Sequence, residues 1–188
     1  MKTAKEDLLH EHIAIEHALN ILEEISQRIE NNGDIDYSDI NNFLEFLKEF
    51  ADRCHHGKEE DFLFPALEKA GIRKEGGPIG VMLSEHAQGR NYIRQMQTSV
   101  VENTVDNQLF IQASGNYIRL LRSHIQKENN VLFPFIDTRL SVPEQKDLYD
   151  KFENHEEQVI GKGRHEELHS LLEKLAKKYL NQEGNTPH

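Results

Sequence analysis

The chain repeats itself at an offset of 69 residues, and this repeat constrains its fold more than any other feature of the sequence. Shifting the sequence by that offset places His55 on His124 and Glu59 on Glu128. Further matched segments are Glu16-His17 with Glu85-His86, Arg53 with Arg122, Lys58 with Lys127, and Leu63-Phe64-Pro65 with Leu132-Phe133-Pro134. Histidine makes up 11 of the 188 residues, so repeated pairing of histidines by chance is rare. We infer that the chain contains two copies of one structural unit.

Apolar residues recur at helical spacing along almost the whole chain, and no sustained run of alternating β-branched residues predicts a strand. The predicted fold class is therefore all-α. In each half of the repeat, a helix with a histidine near its middle precedes a helix that carries His-x-x-x-Glu near its end. Two such hairpins form a four-helix bundle. We expect one domain over residues 1–188, with the bundle at 4–140 and one or two further helices in a C-terminal extension at 141–188.

Composition argues against several classes of partner. The chain has 22 Lys and Arg against 33 Asp and Glu, a net charge of -11, so we expect no nucleic-acid binding. No apolar run approaches the roughly 20 residues of a membrane helix, and the first residues carry charges where an export signal is apolar. A lone cysteine, Cys54, excludes an internal disulfide and favours a reducing compartment. We therefore expect a cytoplasmic protein that does not bind membranes, and the sequence identifies no protein partner.

The repeat selects six residues as candidate metal ligands. A histidine and a glutamate four residues apart lie on one face of a helix, so His55 and Glu59 can point at a common ion. The same spacing recurs at the matched pair in the second half. The predicted metal ligands are His17, His55, Glu59, His86, His124 and Glu128. The neighbouring His56 and Glu60 are second choices, because the repeat gives them no matching histidine or glutamate.

Two metal ions suit these six donors better than one. Two six-coordinate ions offer about twelve positions. Four imidazoles fill about four of them, two bridging glutamates about four, and one oxo or hydroxo bridge about two. About two positions then stay exchangeable, as the binding of O2, NO or peroxide requires. Nitrogen and oxygen donors favour iron or manganese, and zinc stays open as an alternative.

These residues resemble the hemerythrin-like, or HHE cation-binding, family. The resemblance covers about residues 5–140 and rests on Glu16-His17, the segment Cys-His-His-Gly-Lys-Glu-Glu-Asp at 54–61, Phe64-Pro65, Glu85-His86, and His124-x-x-Lys127-Glu128 with its Leu-Phe-Pro. It implies an antiparallel four-helix bundle around a non-haem diiron centre. The oxygen carriers of the family use five histidines, one glutamate and one aspartate, whereas this chain has Arg90 four residues after His86. Four histidines with two glutamates are similar to the set of the bacterial repair-of-iron-centres proteins.

The sequence leaves two classes of function open around such a centre. One is a binding or sensing module that takes up O2 or NO reversibly. The other is an enzyme that reduces peroxide or NO, or that donates iron in the repair of metal clusters. A third reading is a zinc metallopeptidase, because His165-Glu166-Glu167-Leu168-His169 fits the H-E-x-x-H motif. We interpret that motif as part of a surface helix, since the Gly-x-x-His continuation of metzincins does not follow it.

Other polar residues are given structural roles. The histidines expected at the solvated surface are His10, His12, His155 and His188. We expect Lys58 and Lys127 on the polar sides of their helices, and Cys54 as a small buried packing residue. The first helix of the C-terminal extension offers a further carboxylate ligand as an alternative, from Glu153, Glu156 or Glu157.

Overall fold

A computed structural model describes residues 2–102 and 104–180 of the chain. The α-helices of this part are α1 (Ala4–Glu30), α2 (Tyr37–Phe46), α3 (Phe64–Lys69), α4 (Pro78–Ser99), α5 (Asn107–Lys127), α6 (Pro134–Arg139), α7 (Val142–Val159) and α8 (Arg164–Tyr179). Three π-helical segments accompany them: π1 (Leu47–His56), π2 (Glu59–Leu63) and π3 (Glu128–Leu132). Two short antiparallel strands are β1 (Val100–Val101) and β2 (Thr104–Val105). The predicted all-α class is confirmed.

Side-chain caps begin the helices where the sequence offers them. Thr3 and Glu6 form a capping box at the start of α1, each satisfying the other's backbone N–H. Ser141 and Glu144 form a second capping box, at the start of α7. Asp106 begins α5, because its carboxylate accepts a hydrogen bond from the N–H of Leu109 at 3.0 Å. These caps fix the points at which the chain enters each helix.

Four long helical segments form the bundle. α1 packs against α5, α5 against α4, α4 against π1, and π1 against α1, which closes a ring. The second segment is a continuous helical run over residues 37–69, in which π1 and π2 alternate with α-helix. π2 and π3 differ in position by 69 residues, so the same local backbone recurs at the offset of the sequence repeat. The duplication is therefore visible in the backbone.

A polar layer divides the apolar core into two clusters. On α1, Leu8 belongs to one cluster and Ile15 to the other, and His12 lies between them. On α4, His86 lies in the same way between Met82 and Ile93. The helices thus bring polar residues to the middle of the bundle at one level, with hydrophobic packing above and below.

The two C-terminal helices pack on the outside of the bundle. α8 contacts α1 and α2, and α7 contacts α1, π1 and π2. On α7, His155 is buried and its Nε2 lies 3.1 Å from the carbonyl oxygen of Arg53. This corrects the expectation that His155 is a surface residue. Across the ranges 2–102 and 104–180, no helix has the length and hydropathy needed to cross a membrane.

Candidate metal centre

Seven buried side chains in the polar layer form two overlapping groups of metal-ligand type. The three-histidine group consists of His56, Glu59, His86 and His124. The two-histidine group consists of His12, His55, Glu59 and Glu128. Within each group the donor atoms lie within 4.8 Å of one another, and every member is buried. The polar layer therefore presents two adjacent sets of four donors that share Glu59.

The carboxylate of Glu59 faces both groups. Its Oε2 lies 3.3 Å from Nε2 of His86, in the three-histidine group. Its Oε1 lies 3.7 Å from Nε2 of His55, in the two-histidine group. Each oxygen is thus directed towards a different set of imidazoles, so the carboxylate would lie between two ions if each set held one.

Glu128, which the repeat matches to Glu59, is arranged in the same manner. Its Oε2 lies 3.2 Å from Nε2 of His12 in the two-histidine group. Its Oε1 lies 3.2 Å from Nε2 of His124 in the three-histidine group. The two glutamates therefore form a symmetrical pair of carboxylates between the imidazoles of the two groups.

Nε2 of His86 lies 3.1 Å from Nε2 of His124, but other donor atoms of this layer are buried without hydrogen-bond partners among the residues that the structure describes. They include both carboxylate oxygens of Glu59 and of Glu128, both ring nitrogens of His56, and Nε2 of His12. Buried polar atoms of this kind are costly in a folded protein and call for an explanation. Imidazole nitrogens and carboxylate oxygens together suit iron or manganese. The residues therefore fit a pair of metal ions. We call the seven residues of the two groups the metal layer.

Outer hydrogen bonds hold four of the five imidazoles in place. The Nδ1 atoms of His55, His86, His124 and His12 lie 2.8, 2.7, 3.0 and 2.8 Å from oxygens of Glu11, Glu60, Glu85 and Asn129, respectively. A carboxylate only accepts hydrogen bonds, so in the first three pairs Nδ1 carries the hydrogen and donates it. In the neutral imidazole, Nε2 is then the nitrogen with the lone pair, and it points into the layer, as metal-binding histidines require.

Burial and the surrounding charges set the protonation of the layer when it holds no metal. Burial lowers the pKa of His124, but the carboxylates of Glu128 and Glu85 outweigh it and raise that pKa to about 10. Burial also lowers the pKa of His56 well below its usual value, and the charges of His86 and His124 lower it further. His124 is therefore charged at neutral pH, and His56 is neutral. Metal binding must displace the proton of His124.

The structure brings five of the six predicted ligands into this layer and leaves out His17. His17 is exposed, on the same side of α1 as Ile13, which is 69% exposed. His12, predicted at the surface, is buried in its place. Residues five positions apart lie about 140° apart around an α-helix, so the two histidines cannot share a face.

His56 also lies in the layer, although the repeat made it a second choice. Glu60, the other second choice, is an outer partner instead, because it accepts hydrogen bonds from His86 and from Arg90 at 2.7 Å each. The apolar spacing of α1 carried a signal for His12: it falls in the buried series Leu8, His12, Ile15 and Leu19. The sequence repeat has no matching histidine for His12 or His56, which explains why neither is among the six predicted ligands.

The remaining predictions for polar residues have mixed outcomes. Cys54 is buried, as expected of a packing residue. Lys58 is fully buried, which corrects its expected place on a polar helix face, whereas the side chain of Lys127 is 37% exposed. His10 is exposed, and His188 lies outside the described residues. Of the three α7 glutamates, Glu156 points inward to Lys58 and not to the metal layer.

The H-E-x-x-H residues lie on α8, away from the metal layer. The ring of His165 stacks on Phe50 with centroids 5.4 Å apart, and His169 meets the same ring edge-on at 5.3 Å. Within the described part of the chain, neither histidine belongs to a group of three or more potential metal ligands. Glu166 is exposed. The motif thus packs against the bundle through its histidines.

Comparison with known families agrees with this geometry. The hemerythrin HHE cation-binding domain matches residues 3–136, which include every residue of the metal layer. The chain belongs to the hemerythrin HHE family. Helices α7 and α8 lie beyond the matched region. No solved structure gave a significant match to the chain.

Curated proteins similar to this chain include mycobacterial proteins and an iron-sulfur cluster repair protein. Uncharacterized proteins of Mycobacterium tuberculosis and Mycobacterium bovis are 26% identical over 178 residues, covering 93% of this chain and 68% of theirs. The iron-sulfur cluster repair protein YtfE of Salmonella newport is 35% identical over 86 residues, which is 43% of this chain and 39% of YtfE. The similarity to the mycobacterial proteins therefore extends into the C-terminal helices, and the similarity to YtfE is partial.

Proposed function

We propose that the protein is a non-haem diiron protein that binds or reacts with a small ligand of the O2, NO or peroxide type. The proposed ligands are His12 and His55 on one ion, His56, His86 and His124 on the other, and Glu59 and Glu128 between the two. The observation that carries this proposal is the direction of the two carboxylates. Each sends one oxygen towards the three-histidine group and the other towards the two-histidine group.

The number of donors supports an asymmetric pair of ions. Three imidazoles and two carboxylate oxygens fill about five of six positions on one ion, whereas two imidazoles and two oxygens fill about four on the other. An ion held by the two-histidine group would thus keep the greater number of exchangeable positions. We infer that the small ligand binds there.

Bound iron would supply a redox-active pair of Lewis-acidic ions. The chain itself surrounds that pair with aromatic rings. Phe133 stacks on His12 with centroids 5.2 Å apart, and Phe64 stacks on His86 at 5.7 Å. Both phenylalanines are buried, so they exclude water from the imidazoles that they cover. This environment limits side reactions of a bound oxidant.

Metal analysis of paired variants tests the proposal. We expect the purified protein to contain two iron ions per chain, and His12→Ala to lose at least one of them. His17→Ala is the matched control on the same helix and should keep both. Full iron content in His12→Ala, or loss of iron in His17→Ala, would contradict the ligand set. The same analysis identifies manganese or zinc if either metal occupies the site.

Repair of iron-sulfur clusters is a second candidate, supported by the partial similarity to YtfE. Exposure of the reduced protein to O2 or NO separates the candidates. A binding protein would give a stable adduct spectrum that vacuum reverses, whereas an enzyme would oxidise irreversibly and turn over with added peroxide or NO. A repair protein would restore the activity of a damaged iron-sulfur enzyme, and His12→Ala would not.

A further inference from the structure

A buried lysine lies directly behind the metal layer. The side chain of Lys58 is fully buried, and its Nζ donates hydrogen bonds to Asp7 at 2.8 Å, Glu11 at 2.7 Å and Glu156 at 3.1 Å. These contacts use all three N–H groups of the ammonium. Burying a charged lysine is favourable only when such partners compensate for the lost water. We call these four residues the Lys58 cluster.

The Lys58 cluster reaches a proposed metal ligand through Glu11. One oxygen of the Glu11 carboxylate accepts a hydrogen bond from Lys58, and the other accepts one from Nδ1 of His55. The ammonium thus fixes the carboxylate, and the carboxylate fixes the rotation of the imidazole. Nε2 of His55 is thereby held towards the two-histidine group.

The same cluster accounts for a third group of potential metal ligands behind the layer, formed by Glu11, Cys54 and Glu156. Both of its carboxylates already bind Lys58. A resident cation from the chain therefore occupies the position that these donors surround, and no metal ion is needed there.

Helix α7, which lies outside the matched HHE region, completes the Lys58 cluster. Glu156 comes from this helix, and its second oxygen lies 3.1 Å from Nδ1 of His165 on α8. The adjoining His155 approaches the bundle so closely that a Cβ atom on Gly57 would lie 2.6 Å from its Nε2. The C-terminal helices therefore dock directly over Lys58.

We propose that Lys58 is a positioning residue for the metal ligand His55, acting through Glu11 and held by Glu156, so that the C-terminal helices raise the metal affinity of the two-histidine group. This inference rests on the proposed function. Outer partners of metal-bound histidines typically change metal affinity about 10–100-fold. Lys58 differs from the matched Lys127, which binds Glu85 from a half-exposed position.

Titration of the metal-free protein with Co²⁺, followed by its visible absorption, tests this inference without an activity assay. We expect the wild-type protein to bind two ions. Lys58→Met should weaken binding of the ion in the two-histidine group about 10-fold or more and alter the absorption bands of that ion. Lys127→Met, the matched control, should change the affinity for that ion less than about 3-fold, because the Lys127 side chain is 37% exposed and water can replace it beside Glu85.

A milder pair of variants covers the case in which Lys58→Met fails to fold. Glu156→Gln keeps Lys58 and Glu11 in contact, and it should weaken binding of the ion in the two-histidine group about 3-fold or more. Glu157→Gln changes the neighbouring exposed residue and should leave the affinity unchanged. Equal affinity of Glu156→Gln and Glu157→Gln for the ion in the two-histidine group would overturn the inference and leave the diiron proposal intact. Fewer than two ions in the wild-type protein would instead remove both.

Discussion

Lys58 and Lys127 hold matched positions in the two halves of the bundle, each one residue before a glutamate of the metal layer. The first is completely buried, and the second is 37% exposed. The difference arises because α7 packs over π1 and π2 in the first half. The duplication thus sets a symmetrical frame for the metal layer, and the C-terminal helices make its two sides unequal.

The largest expected effect tests the symmetrical part of this comparison. Glu59→Ala and Glu128→Ala each remove a carboxylate that faces both groups, so each should reduce the bound metal from two ions to one or none. Metal analysis of the purified variants measures this. A variant that retains both ions would show that its glutamate does not join the two groups, and the halves would no longer be equivalent.

The stability of the metal-free protein tests the difference in burial between Lys58 and Lys127. Lys58→Met leaves the carboxylates of Asp7, Glu11 and Glu156 without their shared cation, so the free energy of unfolding should fall by about 3–5 kcal/mol. Lys127→Met should lower it by less than about 1 kcal/mol. Urea denaturation at neutral pH provides both values. Equal losses would mean that burial of Lys58 has no energetic consequence.

The pH dependence of the free energy of unfolding compares Glu11, beside Lys58, with Glu85, beside Lys127. Burial raises the pKa of Glu11, but His55 and Lys58 outweigh burial and lower the pKa from 4.5 to about 2. A lowered acid pKa stabilises the fold above pH 4.5, and this contribution is lost as the pH falls towards 2. The stability difference between wild type and Glu11→Gln should therefore shrink by on the order of 3 kcal/mol over that range.

Glu85→Gln is the control for this titration in the second half. Burial raises the pKa of Glu85, but His124 and Lys127 outweigh burial and lower it. Solvent screens the Lys127 charge, so we expect a smaller pH-dependent change than for Glu11. Urea denaturation from pH 6 to the acid limit measures both variants, and a larger change for Glu85→Gln would reverse the comparison.

The smallest expected effect concerns the docking of α7. His155 lies against Gly57 and leaves no room for a Cβ atom there, whereas the matched residue Gln126 is exposed. Gly57→Ala should destabilise the protein by about 1–2 kcal/mol through overpacking. Gln126→Ala should stay within about 0.5 kcal/mol of wild type. Thermal unfolding of the two variants compares them directly, and a neutral Gly57→Ala would show that α7 adjusts freely.

The repeat predicted much of the fold and most of the metal layer. It predicted the hairpins and selected five candidate ligands that the structure brings together; four of them, His55 with His124 and Glu59 with Glu128, follow the duplication in both sequence and structure. His17, which the repeat matches to His86, is exposed and lies outside the layer, so α1 and α4 do not present equivalent faces. α1 instead presents His12, whose matched residue is Val81. Duplicated units that diverge in one helix can thus mislead a search based on their similarity.

Features created by the C-terminal helices could not be predicted from the repeat. The burial of Lys58 depends on Glu156, which lies 98 residues further along the chain. Burial of His155 likewise depends on its contact with the backbone of Arg53. Such contacts arise from the docking of one helix on another, and neither spacing nor composition indicates which face of α7 meets the bundle.

The π-helical turns at Glu59 and Glu128 have a consequence for how the chain tolerates change in length. A π turn holds one more residue than an α turn, so it alters the rotational phase of the helix that follows. Leu63 and Leu132, which close these turns, are buried in the apolar core. Deleting one residue from either turn would rotate the following helix by about 100° and turn its apolar side outward.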